Sequence, residues 1–335
     1  MNNYFQLSTE DQQLVLQQAS ARLGLPPQAI EKDLWVTTIL QIVFTLPFAD
    51  KLIFKGGTSL SKVWHQIERF SEDIDLAVDR SLFGMEGDLT KKQIKKLRKA
   101  SSLFVKEKFS PVLQSKIEEY GLSSFCSIEP EPDGEGDNTY PEPRKVFVKY
   151  RSAWAEPMDY LSPVVMLEIG ARSLLEPNEQ TNIRSMVEET FPSIQTTLAD
   201  TPVITALACK TFLEKVFLLH ELFSVEGRGA TAERKSRHLY DLSRMMDKDF
   251  ALAAIHDGEL WESIRHHREI FTSVRGMDYT PDVRKRITLI PPSDIQAAWE
   301  QDYKSMCSSM IFGNKPTFEE LLEQMRILET RFREV

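Results

Sequence analysis

A short apolar run, Leu52-Ile53-Phe54, stops at Gly56-Gly57-Thr58-Ser59, and an acid/apolar alternation, Asp73-Ile74-Asp75-Leu76, follows it closely. No other stretch limits the fold so tightly. The apolar run bounded by glycines reads as a buried strand entering a tight turn. Glycine has no Cβ and tolerates positive φ, so the backbone there can approach a ligand. The amides and hydroxyls of Thr58 and Ser59 then stand at a helix start, where an anion is favoured. The alternation predicts a second strand that points both carboxylates to one face. Two carboxylates aimed at one point repel unless a cation sits between them, and oxygen ligands of this kind suit Mg²⁺. A phosphate cradle beside a paired-aspartate metal site is the minimum equipment for metal-assisted phosphoryl or nucleotidyl transfer. Two plainer readings stay open: a strand-ending turn at the glycines, and a solvent-facing stripe at the aspartates.

The 335 residues and 41% hydrophobic content suffice for about two domains, and 27% charge is ordinary for a globular chain. A net charge of −9 excludes general coating of nucleic acid, so any such contact needs a local basic patch. Cys126, Cys209 and Cys307 form no CxxC pair, which argues against a disulfide framework or cysteine zinc site and fits a reducing cytoplasm. No secretory signal or membrane span is expected. Ser8 with Asp11 resembles a capping box for a helix up to Gly24, and Pro26-Pro27 opens a second helix that Pro47 ends. Residues 58–67 read as a short helix and 90–120 as a long lysine-rich one. Strands are expected at 73–78, 146–150 and 164–169. Residues 129–143 read as a mobile acidic loop rich in Pro and Gly. After about residue 195 strand signals fade, and helices are expected at 202–222, 232–247, 259–275 and 293–332. The fold class is therefore α/β (α+β): residues 1–195 carry a mixed sheet flanked by helices, and residues 196–335 form a helical domain.

The order Gly-Gly-Thr-Ser, helix, Asp-x-Asp resembles the DNA polymerase β-like nucleotidyltransferase signature. The fuller string KGGTSLSKVWHQIERFSEDIDL is similar to the AbiEii/AbiGii-type toxin family of type IV toxin–antitoxin and abortive-infection systems. Three further strings resemble that family's motifs: Glu31-Lys32-Asp33-Leu34-Trp35-Val36, Thr211 to Lys215 with Leu219-His220, and Ser236 to Leu242. The resemblance implies a third acid on a later strand, for which Glu168 is the candidate as the only charge in Val164 to Ile169. It also implies a triphosphate contact from Lys215 and an orienting or activating role for Asp241, in a cleft between the two halves. The implied reaction moves NMP from an NTP to an RNA acceptor, tRNA foremost, with Mg²⁺ or Mn²⁺ as cofactor, and blocks translation. A cognate antitoxin is implied as partner.

Several residues keep a bland alternative. Glu168 could pair with Arg172. Glu31, Lys32 and Asp33 read as an ordinary solvated helix face, with bracing of the site as the rival. His220 and His238 read as packing residues, and Lys210 competes with Lys215. Lys91, Lys92, Lys95, Lys96 and Lys99 belong to a basic island that either contacts an RNA backbone or is merely solvated. Arg284-Lys285-Arg286 is a weaker second patch. Two other functions fit the same residues: nucleotidylation of a protein hydroxyl, including Ser71 or Thr58 of this chain, and a nucleotide-binding module with little turnover.

Overall fold

The computed structural model describes residues 2–154, 161–195, 198 and 201–335. The chain forms two compact units. The first comprises residues 1–63 and 71–205, and the second comprises 64–70 and 206–335. The boundary expected at 195/196 adjoins residues outside the described set.

The first unit opens with α1 (Thr9–Leu23), where Ser8 accepts a hydrogen bond from the Asp11 amide and Gly24 closes the helix at φ 68°. Next comes α2 (Pro27–Val43), in which every residue from Ala29 to Val43 is buried. The sequence pattern placed its apolar residues mostly on one side. A helix buried all round is what its long charge-free stretch after Asp33 produces. The sheet strands are β1 (Leu52–Lys55), β2 (Ile74–Val78), β3 (Cys126–Pro130), β4 (Arg144–Tyr150), β5 (Val164–Gly170), β6 (Asn178–Asn182) and β7 (Pro202–Ala206). Their spatial order is β3-β4-β5-β2-β1-β7-β6. β1 pairs antiparallel with β2 and parallel with β7, and β2 runs parallel to β5, so the sheet is mixed. β3, β6 and β7 were missed in the sequence, and the last two residues of β3 fall in the stretch read as the acidic loop. Asn178–Asn182 has no apolar residue, and Pro202–Ala206 was read as the start of a helix that begins at Ala208.

Between β1 and β2 lies α3 (Gly56–Lys62), shorter than the helix expected over 58–67. The lysine-rich stretch is α4 (Lys91–Phe104) and α5 (Ser110–Glu119), joined by a π-helical turn at Val105–Phe109. Pro111, which has no N–H to give to the turn before it, accounts for the break. The acidic loop is not the free excursion its composition suggested. Arg144, fully buried, donates to the Glu131 carbonyl (3.0 Å) and to Asp133 (2.5 Å), and Lys106 also pairs with Asp133 (2.6 Å). Arg98 donates to the Tyr140 carbonyl (2.9 Å), and Arg172 pairs with Glu142. A short helix, α6 (Met186–Thr190), completes this unit.

The second unit is built from α7 (Ala208–Ser224), α8 (Arg237–Met245), α9 (Asp249–His256), α10 (Gly258–Phe271), α11 (Gln296–Ser309) and α12 (Phe318–Arg333). The helix expected over 293–332 is thus two helices. The Trp261 ring packs between Phe217 (4.5 Å between centroids) and Phe332 (5.3 Å). Residues 64–70 belong here: Arg69 bridges to Ile311, and the Phe70 amide donates to the Met310 carbonyl (2.7 Å). No helix among the described residues is long and apolar enough to cross a membrane.

Candidate functional site

Strand register places four charged side chains in one row across the first unit's sheet. Lys55 of β1 pairs with Asp75 of β2, Asp75 with Glu168 of β5, and Glu168 with Lys145 of β4. Partners in register point to the same face, so the row reads plus, minus, minus, plus. All four are half-buried, whereas their strand neighbours Phe54, Ile74, Leu76, Leu167 and Ile169 are buried on the opposite face. Asp73 lies two residues before Asp75 and shares its half-buried character, while Glu72 and Ile74 beside it are buried. The register therefore sets Asp75 beside Glu168, with Asp73 in the segment that leads into β2. Glu168 Oε1 lies 3.5 Å from Lys145 Nζ. Its structural partner is Lys145, and Arg172, the alternative considered, is taken by Glu142.

Gly56 fits this arrangement and no other residue would. Its φ is 84°, and a Cβ there would meet Asp75 Oδ2 at 2.0 Å. The Asp75 carboxylate thus lies against the backbone where β1 passes into α3. Thr58 Oγ1 donates to the Asp73 carbonyl (2.5 Å) and lies 2.9 Å from Ser71 Oγ, and Ser59 Oγ donates to the Gly56 carbonyl (2.9 Å). Both hydroxyls are buried and spent on fixing the turn. Of the expected cradle, it is the backbone of Gly56 and Gly57 that remains half-exposed.

Glu31, Lys32 and Asp33 are buried, not solvated. Lys32 Nζ pairs with Glu72 (3.0 Å) and donates to the Ser162 (2.8 Å) and Val164 (2.5 Å) carbonyls. Asp33 pairs with Lys62 at the end of α3 (2.6 Å) and accepts from the Met186 amide (2.7 Å). Glu31 accepts from the Ala153 amide and the Ser152 hydroxyl, each at 2.6 Å, yet burial still raises its carboxyl above the usual range. One turn of α2 therefore holds α3 through Lys62 and the β2 approach through Glu72. The available signal was the absence of any charge between Asp33 and Asp50, which marks α2 as a core helix whose few charges must be paired.

In the second unit Lys215 and Asp241 form one buried cluster. Arg69 grips Asp241 with two bonds (Nε 2.6 Å, Nη2 2.8 Å), Lys215 Nζ lies 2.9 Å from Asp241 Oδ2, and His238 Nδ1 lies 3.3 Å from Lys215 Nζ. Burial alone would raise the Asp241 carboxyl, but Arg69 and Lys215 outweigh it and hold it well below the carboxylate range. Burial lowers the Lys215 ammonium despite Asp241, and burial followed by the Lys215 charge pushes His238 well below its usual range. Sequence reasoning gave Arg69 no role. Lys210, the rival lysine, is fully buried and pairs with Glu214 at 3.0 Å. His220 packs as expected, with Nδ1 accepting from the Thr288 amide (3.1 Å).

Among the described residues no three His, Cys, Asp or Glu form a ready-made metal cage. The oxygen donors of Asp73, Asp75 and Glu168 still suit Mg²⁺, which takes one or two carboxylates and fills its remaining positions with water and phosphate.

The family described as "Nucleotidyl transferase AbiEii toxin, Type IV TA system" matches residues 38–324. No curated protein matches the chain. Among solved structures, MenT4, a nucleotidyltransferase toxin from Mycobacterium tuberculosis H37Rv, aligns over 97% of this chain and 98% of its own at 15% identity and a TM-score of 0.47.

Proposed function

The chain belongs to the AbiEii nucleotidyltransferase toxin family of type IV toxin–antitoxin systems, and from that premise we propose that it transfers NMP from an NTP to an RNA hydroxyl, with tRNA as the leading acceptor. The observation that carries this reading is the row Lys55, Asp75, Glu168, Lys145, with Gly56 shaped to the Asp75 carboxylate. Asp73 and Asp75 are the proposed Mg²⁺ ligands, and Glu168 is the third acid of the set. Bound there, Mg²⁺ would supply a Lewis acid for the triphosphate oxygens. Lys55 and Lys145 flank the acids on the same face and are placed to offset phosphate charge. The Gly56-Gly57 backbone lets the triphosphate come close to β1, because no side chain stands there. The acceptor hydroxyl attacks the α-phosphorus, the bond to the β-phosphate oxygen breaks, and pyrophosphate leaves. The reading rests on the first unit's residues; Lys215 pairs with Asp241 inside the second unit. The family implies an antitoxin partner and a nucleotide substrate.

The test is incubation of purified protein with total RNA, Mg²⁺ and each α-³²P-labelled NTP in turn, with Asp75→Asn as control. Label in a discrete RNA band, lost in the variant, supports the reading and names the nucleotide. Label confined to protein moves the activity to a protein hydroxyl. The Ser71 hydroxyl, within reach of Thr58 beside Asp73, makes this chain the first place to look.

A further inference from the structure

The basic island sits on a well-defined surface. Lys91, Lys92, Lys95, Lys96 and Lys99 are exposed on α4. At about 100° per residue they span about 140° of the helix circumference, opposite buried Leu97, and at 1.5 Å per residue they run about 12 Å along it. Every position within that stripe from 91 to 99 is lysine, and residues 91–104 contain no acid. Lys91–Lys95, Lys92–Lys96 and Lys95–Lys99 are like-charge neighbours one turn apart, and such pairs destabilise a helix. The lysines also crowd the positive end of the helix dipole, and the cap uses Gln93 where Glu would help.

Elsewhere the chain arranges its helix charges the opposite way. α12 begins with Glu319 and Glu320, ends with Arg331 and Arg333, and pairs Glu323 with Arg326. A solvated face kept for stability would resemble α12. Among the described residues no acid forms an ion pair with the α4 stripe, and its like-charge repulsion is one that a bound polyanion would relieve. Its C-terminal limit is set by the acidic loop, which takes up Arg98 and Lys106 and lays Tyr140 against Lys99.

We propose that this stripe docks the phosphate backbone of a folded RNA, holding the body of the acceptor rather than its reacting end. The proposal rests on the RNA-acceptor reading above. The separation of body from end follows from the sheet. Arg144 pairs in register with Ile169, the neighbour of Glu168, and so points to the face opposite the carboxylate row. Arg144 Nε donates to Ser102 of α4 (2.9 Å), so α4 covers that opposite face. An RNA that touches both must be large enough to reach around the unit.

The experiment measures binding without NTP, by fluorescence anisotropy across a salt series, with bulk tRNA as probe. The wild type is compared with a variant in which Lys91, Lys92, Lys95, Lys96 and Lys99 are all replaced by Gln. Releasing about 0.7–0.9 counterion per lost phosphate contact, the variant should lower the slope of log K against log salt by about 4 and weaken binding at least tenfold. Its melting temperature should hold or rise, because the repulsion is gone. A short single strand carrying the same 3′ end should bind both proteins alike. Equal tRNA affinity and slope in the two proteins would overturn the surface. An equal loss on the short strand would overturn the assignment to the RNA body. Displacement of tRNA by polyglutamate at matched charge would make an acidic protein the occupant. Because binding is read without NTP, absence of label in every RNA incubated with the wild type would count against the transfer reaction and leave the surface standing.

Discussion

Replacing Gly56 with Ala tests whether the Asp75 carboxylate and the β1–α3 turn are built around one another. An L-residue at φ 84° carries about 1–2 kcal/mol of strain. The new Cβ would also lie 2.0 Å from Asp75 Oδ2 and 2.9 Å from its Cγ. Turning that carboxylate off its rotamer adds about 0.5–1.5 kcal/mol. Restriction of the unfolded chain by Ala returns about 0.4–1 kcal/mol. The net loss is about 0.5–3 kcal/mol, or roughly 1–12 °C in melting temperature for a unit of this size. A double-mutant cycle isolates the steric part. Asp75→Ala removes the two closest atoms and retains the Cβ at 3.1 Å, while the φ strain and the unfolded-state effect are common to both backgrounds. Gly56→Ala should therefore be milder in the Asp75→Ala background by about 0.5–1.5 kcal/mol, the rotamer cost worked out above. Urea melts of the four proteins give the coupling. Labelled-nucleotide transfer should fall at least about 100-fold in Gly56→Ala, since misplacing a reacting-site group by an ångström has that effect. A coupling of zero, or transfer at the wild-type rate, would refute the argument.

Three other outcomes follow from buried charge. Lys32→Met removes the ammonium 3.0 Å from Glu72 and the donor to the Ser162 and Val164 carbonyls, and should destabilise the first unit by about 3 kcal/mol; Glu72→Gln added to it should recover part of that loss in chemical melts. Asp241→Asn leaves Arg69 and Lys215 as buried cations and should destabilise by a similar margin at pH 7. Because the folded Asp241 carboxyl is depressed, its contribution is present above the unfolded value near 3.9 and disappears as pH falls through the folded one, so acid melts should show the wild type and variant converging below about pH 4. Burial lowers His220 to about 4. Between that value and about 6.5 the unfolded state binds more protons, so stability should rise with pH across this window by up to about 3 kcal/mol. His220→Gln should flatten that rise in melts taken from pH 4 to 7.

The parts of the fold that were legible in the sequence are those where local chemistry and final environment agree. Ser8 and Gly24 bound α1 because a cap and a left-handed glycine act within a few residues. The Leu52 and Asp73 runs became strands because apolar run, glycine break and alternation are local signals too. What escaped is decided by distant partners. Asn178–Asn182 is polar throughout and becomes a strand only through pairing at a sheet margin. The acidic loop looked free because its anchors, Arg98, Lys106 and Arg144, lie on other elements. At the candidate site, the spacing of Asp73 and Asp75 predicted a shared face, but not the row that Lys55, Glu168 and Lys145 complete, because register between strands is set by the whole sheet.

The charges of α2 show why such a site needs a frame as well as ligands. Asp73, Asp75 and Glu168 repel one another across a half-buried face, and that repulsion acts to spread β2, β5 and the turn at Gly56. Hydrophobic packing behind the sheet is not directional and resists sliding weakly. Lys32 and Asp33 act from fixed points one residue apart on a fully buried helix: Lys32 pins Glu72 and the start of β5, and Asp33 pins Lys62 at the end of α3. Buried pairs of this kind seldom raise stability above that of an apolar packing of equal volume. Their effect here is geometric. They fix the two segments that carry the carboxylates and the glycine turn relative to a single rigid helix, so the acids keep their spacing before any cation or phosphate arrives. On this account an apolar replacement of Lys32 and Glu72 together could restore the melting temperature while transfer activity stayed low, and recovery of both would show that the pair does no more than fill space.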